Sequence, residues 1–178
     1  MKVFIADINS LIKRRDLLSD LKTRLSAKDK ARLEAITNQR RAHEFLAGRY
    51  LIFKYFGNDF DVLKNSRIVA KNRYLSLSHS KDYAAFAYAD TPIGLDIEYM
   101  SPARDIAKIA KRMGFGICTQ IEFYKKWTAR EADFKLFSAS HIKAAHHTYK
   151  IFGDYMICLS SLTPSTILIK SSPLRARG

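Results

Sequence analysis

With 178 residues, 47% of them hydrophobic and 27% charged, the chain has the make-up of a globular protein with a real core, which excludes a disordered or fibrous class. No window approaches the roughly 18 apolar residues of a membrane-spanning helix. Two cysteines, Cys118 and Cys158, form neither a CxxC motif nor a disulfide framework, so a soluble protein of the reducing cytoplasm is expected. Lys and Arg number 31 against 17 Asp and Glu, a formal net charge of +14. Such a surplus favours polyanionic partners: nucleic acid, phosphorylated small molecules or acidic proteins. The basic residues are spread along the chain ("IKRRD", "NQRR", "AKNR", "AKRM", "FYKKW", "LRARG") without an RNP-like, zinc-finger or basic-zipper signature, so charge by itself does not choose among the three.

The opening "MKVFIADINS", whose apolar run is broken at Asp7, has the pattern of a first strand and not of a signal peptide. Leu17, Leu18, Leu21 and Leu25 follow at helical spacing, and Ser26 with Asp29 resembles a capping box opening a helix that runs to about Ile36. Residues 38–56 again have a helical pattern, with Phe45, Leu46, Gly48, Tyr50 and Leu51 on the apolar side, ended by "FGND". Strands are expected from Val62 to Ala89 ("RIVA", "YLSLSHS", a turn at "SKD", "YAAFAYAD"), and a turn at "DTP" leads into "IGLDIEYM". Helices are expected over 104–113 and 119–137, separated by "GFGIC". "TYKIFGDYMICLSS" has the pattern of a hairpin turning at Gly153-Asp154, "STILIK" that of a last strand, and the tail "SSPLRARG" is expected to be disordered. The class is α+β. "KDYAAFAY" after one long helix and "GDYMICLS" after the other hint at a two-fold organisation.

Three short stretches carry candidate chemistry. In "PIGLDIEYM", Asp96 and Glu98 lie two apart, so on a strand their carboxylates stand side by side. Like charges that close raise each other's pKa unless a cation joins them, and hard oxygen ligands suit Mg²⁺ with water and substrate phosphates. The plain alternative is a strand whose polar face meets water, and it is the favoured reading of a bare Asp-x-Glu. In "WTAREADFK", Trp127, Glu131 and Lys135 recur every fourth residue along one helical stripe. Trp127 can anchor the helix and leave Glu131 and Lys135 at the border of a site; the alternative is a surface ion pair worth roughly a few tenths of a kcal/mol. In "LSLSHS", Ser76, Ser78 and Ser80 share a strand face, and His79 is either functional or a hydrogen-bonded structural histidine. No Gly-x-Ser-x-Gly elbow surrounds these serines, and His43, His141, His146 and His147 lack zinc-site spacing.

Taken in order, "SLSHSKDYAAFAYADTPIGLDIE" followed by "WTAREADFK" resembles the 4′-phosphopantetheinyl transferases of the surfactin-synthetase-activating type. That family shows a Ser-His strand, then Gly-x-Asp-x-Glu, then Trp-x-x-Lys-Glu-x-x-x-Lys. "RRAHEFLAGR" (residues 40–49) resembles the helix ahead of those motifs, and the resemblance spans roughly residues 26–135. Two departures stand out. Arg130 occupies the position of the usual Lys before the Glu, and "AKN" (70–72) stands where Gly-Lys-Pro is common.

The resemblance implies an α+β pseudo-dimer, with halves 1–90 and 91–178 packed as one unit and coenzyme A in the cleft between them. It implies transfer of phosphopantetheine from coenzyme A to a serine of an acyl or peptidyl carrier protein, with Mg²⁺ (Mn²⁺ as an alternative) and release of adenosine 3′,5′-bisphosphate. Asp96, Glu98 and Glu131 are then the metal ligands. Glu131 is the base, directly or through a water, and Lys135 stabilises the leaving phosphate. Arg41, Arg49, Lys71, Ser78, His79 and Lys135 become coenzyme A ligands, with Lys28 and Lys30 near its 3′-phosphate. A monomer is implied, with no nucleic-acid or membrane partner, whose positive charge steers an acidic carrier protein. Two alternatives remain: a basic nucleic-acid-binding protein in which the acidic pair is structural, and a family member with lost or altered activity, for which Arg130 and the short C-terminal region leave room.

Overall fold

The structure, a computed structural model, describes residues 1–62, 68–70, 72–137 and 145–173. In chain order its elements are β1 (Lys2–Asp7), α1 (Ile8–Lys13), α2 (Arg15–Arg24), α3 (Ala27–Glu34), α4 (Gln39–Phe56), β2 (Asp61–Val62), β3 (Ile68–Ala70), β4 (Arg73–Ser80), β5 (Tyr83–Ala89), β6 (Ile93–Tyr99), α5 (Ile106–Met113), α6 (Gln120–Phe137), β7 (His146–Phe152), β8 (Tyr155–Ser161) and β9 (Leu168–Ser171). The class is mixed α+β, with two sheets and six helices among the described residues.

The larger sheet has six strands in the order β2-β3-β4-β5-β1-β9, and the smaller has three in the order β6-β8-β7. Alternation along β1 sets the layers. Phe4 and Ala6 point to one side, where they meet α4 (Leu46, Ala47, Leu51) and Leu11, Leu17 and Leu21 of α1 and α2. Val3 and Ile5 point to the other, with Ala85 and Ala87 of β5, and meet Leu95 and Ile97 of β6 and Ile157 and Leu159 of β8. The outer face of the small sheet is covered by α6, which packs on β6 and β8. The order is therefore helix, sheet, sheet, helix. Every residue of β8 is buried, as a central strand between two covered faces requires.

One edge of the small sheet is closed in an unusual way. The β6 N–H groups that do not pair with β8 face β4, and serine hydroxyls receive them. Leu95 N–H donates to Ser76 Oγ at 2.8 Å, Ile97 N–H to Ser78 Oγ at 3.3 Å, and Tyr99 N–H to Ser80 Oγ at 3.0 Å. Successive residues on one strand meet successive serines on the other, so β4 and β6 run parallel and are stitched through side chains. This is what the alternation in "LSLSHS" encodes, and it spares the buried edge unpaired donors.

The expected helices and hairpins are present, with differences at the ends. The turn at Gly153-Asp154 joins β7 to β8 in the register Phe152↔Tyr155, and Gly153 takes φ +54 there. Two short elements, α1 and β2, went beyond what the sequence pattern suggests. The first is held by Asp7, whose carboxylate accepts the Ser10 N–H, and by burial of Ile8 and Leu11. Ser26 caps α3 by accepting the Asp29 N–H, but Asp29 turns its carboxylate to Arg49 of α4 instead of completing a capping box. The start of the tail is ordered, contrary to expectation: Ser172 N–H donates to Ile5 O and Tyr50 Oη–H to Pro173 O. Residues 174–178 lie outside the described residues. β9 pairs parallel to β1, so residues 168–171 belong to the sheet built by the first half of the chain. Among the described residues no helix is long and apolar enough to cross a membrane.

Candidate functional site

The site forms where β4, β6 and α6 converge. The inward residues of α6, namely Phe123, Tyr124, Thr128, Ala132 and Leu136, are buried, and its small member Ala132 lies over Gly94. A Cβ at Gly94 would stand 1.9 Å from the Ala132 carbonyl oxygen, so helix backbone rests directly on strand backbone. Asp133 fixes the helix from the other flank. Its Oδ1 accepts the Ser160 hydroxyl of β8 at 2.8 Å and lies 2.8 Å from His147 Nε2 of β7. With α6 held this close, Lys135 reaches across β6: its Nζ donates to Leu95 O at 2.9 Å and to Asp96 Oδ1 at 2.8 Å.

Asp96 is only 4% exposed. Its Oδ1 also accepts the Ser78 hydroxyl at 2.8 Å, while Oδ2 is buried and accepts no hydrogen bond among the described residues. Glu98 Oε2 accepts the Ser80 hydroxyl at 3.1 Å and faces Arg104 Nη1 at 3.8 Å. Each of these serines thus gives its proton to a carboxylate and its lone pair to a β6 N–H, which ties the Ser-x-Ser of β4 to the Asp-x-Glu of β6. Burial first, and then the neighbouring Asp96 carboxylate, push the Glu98 carboxyl above the usual carboxylate range.

Beside Ser78 opens a cavity of about 510 Å³ on the α4 side of the large sheet. Its polar lining is Arg32, Arg41, Glu44, Arg49, Ser78 and His79, and its apolar lining includes Ile36, Phe45 and Leu77. His79 Nδ1 lies 3.3 Å from Glu44 Oε2, and Glu44 Oε1 accepts from Arg40 Nε at 3.3 Å. Partial burial lowers the pKa of His79, Glu44 pulls it back up, and the charge of Lys135 lowers it further.

The expected binding residues are thus gathered unevenly. Arg41, Arg49, Ser78 and His79 line one cavity, and Ser78 joins it to Asp96 and Lys135. Arg49 is 4% exposed and its fork is engaged: Nε and Nη2 each donate to Asp29 at 2.7 Å, and the guanidinium lies 4.6 Å from the Phe45 ring centroid. Asp96 and Glu98 share a face, and among the described residues no three Asp, Glu, His or Cys side chains are gathered as a metal cluster. Glu131 is half-buried on α6 and Arg130 is exposed. Lys71 lies outside the described residues. Lys28 Nζ donates to Val62 O at 3.3 Å, and Lys30 is exposed. The residues present nevertheless fit a hard divalent cation in one respect: a buried carboxylate oxygen without a donor, beside a second carboxyl disfavoured as an anion by its surroundings.

No family model matches the sequence. The chain is similar to the 4′-phosphopantetheinyl transferase HetI of Nostoc sp., being 27% identical over 147 residues that cover 66% of this chain and 61% of the relative. It therefore spans less than two thirds of that protein's length. The likeness supports the 4′-phosphopantetheinyl transferase superfamily.

Glu44, Asp29 and Arg104 are among the residues of the site that the sequence pattern does not single out. Glu44 carries a signal in its spacing, four residues after Arg40 within "RRAHEFLAGR". Asp29 is marked in the sequence only as a capping residue. Arg104 has no periodic signal, because the loop after β6, and not a helix or strand face, brings it to Glu98.

Proposed function

We propose that the protein is a phosphopantetheinyl transferase of the surfactin-synthetase-activating type, moving 4′-phosphopantetheine from coenzyme A to a serine of an acyl or peptidyl carrier protein. The observation that carries this reading is the junction of Ser78, Asp96 and Lys135 beside a cavity lined by Arg41 and His79. It sets a carboxylate with an open oxygen and an ammonium next to a basic pocket of nucleotide size. Mg²⁺ bound here would neutralise charge on the coenzyme A diphosphate. Asp96 and Glu98 would hold it, with Glu131 as the third ligand by resemblance.

In this reading the carrier serine attacks the β-phosphorus as its proton leaves toward Glu131, directly or through a water. The bond to the adenosine-side phosphate breaks, and Lys135 stabilises the charge that collects on the departing adenosine 3′,5′-bisphosphate. By resemblance Arg41, His79 and Lys71 serve the nucleotide side, and Lys28 and Lys30 the 3′-phosphate. Arg49, engaged by Asp29, holds the cavity wall. Positioning and charge stabilisation are the main contributions that such chemistry needs.

The element order supports two related halves, 1–90 and 91–178: α4 precedes the β4–β5 hairpin, and α6 precedes the β7–β8 hairpin, each turning ahead of an Asp-Tyr pair. We take the protein to be monomeric and cytoplasmic, with its net charge of +14 steering an acidic carrier. Calorimetric titration of coenzyme A tests the reading. Binding that needs Mg²⁺ and is abolished in Asp96→Ala is expected. Absence of binding, together with tight salt-sensitive binding to nucleic acid, would replace it by the nucleic-acid reading.

A further inference from the structure

Arg104 stands in the loop between β6 and α5, in no motif, yet its guanidinium is held at the acidic pair. It lies 5.5 Å from the Tyr124 ring centroid and 5.3 Å from that of Trp127, with Nη1 buried, 3.8 Å from Glu98 Oε2, and without a hydrogen-bond partner among the described residues. A buried donor without an acceptor is costly unless an acceptor arrives from outside. Across the pair, Lys135 Nζ is 2.8 Å from Asp96 Oδ1. Two carboxylates thus face two of the protein's own cations, and a divalent ion entering alone competes with them.

We propose that Arg104 and Lys135 are resident counter-cations of the Asp96–Glu98 pair, exchanged for a divalent cation when a diphosphate arrives to receive them, and that Arg104 is a further diphosphate-binding residue. The inference rests on the functional reading above. The two side chains suit different parts of the exchange. Arg104 is fixed by its two aromatic neighbours and offers a planar fork that matches phosphate oxygens. Lys135 is a point charge on a flexible stem and turns from Asp96 to a phosphate without moving α6. Metal and diphosphate then bind with mutual help, each removing the charge that opposes the other.

Two measurements on the full chain test this. The first follows Mn²⁺ alone by the electron paramagnetic resonance signal of the free ion. Lys135→Met and Arg104→Met should each bind Mn²⁺ about fivefold more tightly than the wild type, the size of one partly exposed neighbouring charge. The second measures coenzyme A affinity at saturating Mn²⁺, which should fall about tenfold in both variants. Mn²⁺ binding no tighter than wild type in Lys135→Met overturns the exchange, and unchanged coenzyme A affinity in the Arg104 variant overturns its assignment to the diphosphate. Should Arg104→Met lose the wild-type circular dichroism spectrum, Arg104→Gln takes its place. A wild type that binds no coenzyme A at all sinks the functional reading instead, and the Mn²⁺ arm still reports on the counter-cations.

Discussion

Ser78 uses a single hydroxyl twice, donating to Asp96 Oδ1 and accepting from Ile97 N–H. Ser78→Ala therefore leaves a buried N–H unpaired and removes one donor from Asp96, a loss of about 1–3 kcal/mol that urea denaturation will measure. Glu98 is the second residue with a definite expectation. Because burial and Asp96 raise its carboxyl above the ordinary range, the folded protein holds a proton there at pH values where the unfolded chain has lost it. Its contribution to stability is full below the unfolded pKa and is lost as pH rises through the raised one. Glu98→Gln should consequently melt above the wild type at neutral pH, with the gap closing in acid; melting curves at several pH values check this, and a gap that is constant with pH contradicts it. The side-by-side carboxylates and the shared face of the serines were legible from two-residue alternation alone. That each serine bonds a specific carboxylate was not, since it depends on which strand edge comes to lie beside β4.

At the scale of elements, the approach of α6 to β6 governs the site. Gly94→Ala puts a methyl group against the Ala132 carbonyl, at a cost of about 1–3 kcal/mol in stability as the helix shifts. Lys135 then moves away from Asp96. Loss of coenzyme A binding in a variant that still folds is the expected result, read by calorimetry beside circular dichroism. Long patterned elements such as α4, α6 and the β4–β5 hairpin could be read from spacing, because their buried faces repeat often enough to set a period. The short α1 and β2 could not, because a cap and two buried side chains, or one neighbouring strand, hold them in place. The stripe of α6 anticipates Trp127, which packs, partly buried, on the Phe123–Tyr124 cluster with Arg104 against its ring, while Phe123, Tyr124 and Ala132 seat the helix more deeply. The pairing of Asp29 with Arg49 was hidden for a related reason, since it links two helices and follows no local spacing.

At the scale of the molecule, two sheets pressed face to face between helices leave the acidic pair of β6 at one side of the stack and the basic cavity of α4 beside it, with Ser78 shared by both. In the proposed function the net charge of +14 would help draw in coenzyme A and an acidic carrier. The sequence order of the motifs made the site readable as a set, whereas the matching of its carboxylates by internal cations is visible only in the assembled fold. The most direct measurement incubates the protein with coenzyme A, Mg²⁺ and a small panel of apo carrier proteins and weighs each carrier by mass spectrometry. The account predicts that at least one carrier gains the mass of a single phosphopantetheine group on its serine, and that Glu131→Gln and Asp96→Ala, still folded, give none. Unmodified carriers throughout the panel, or full activity in both variants, would contradict it.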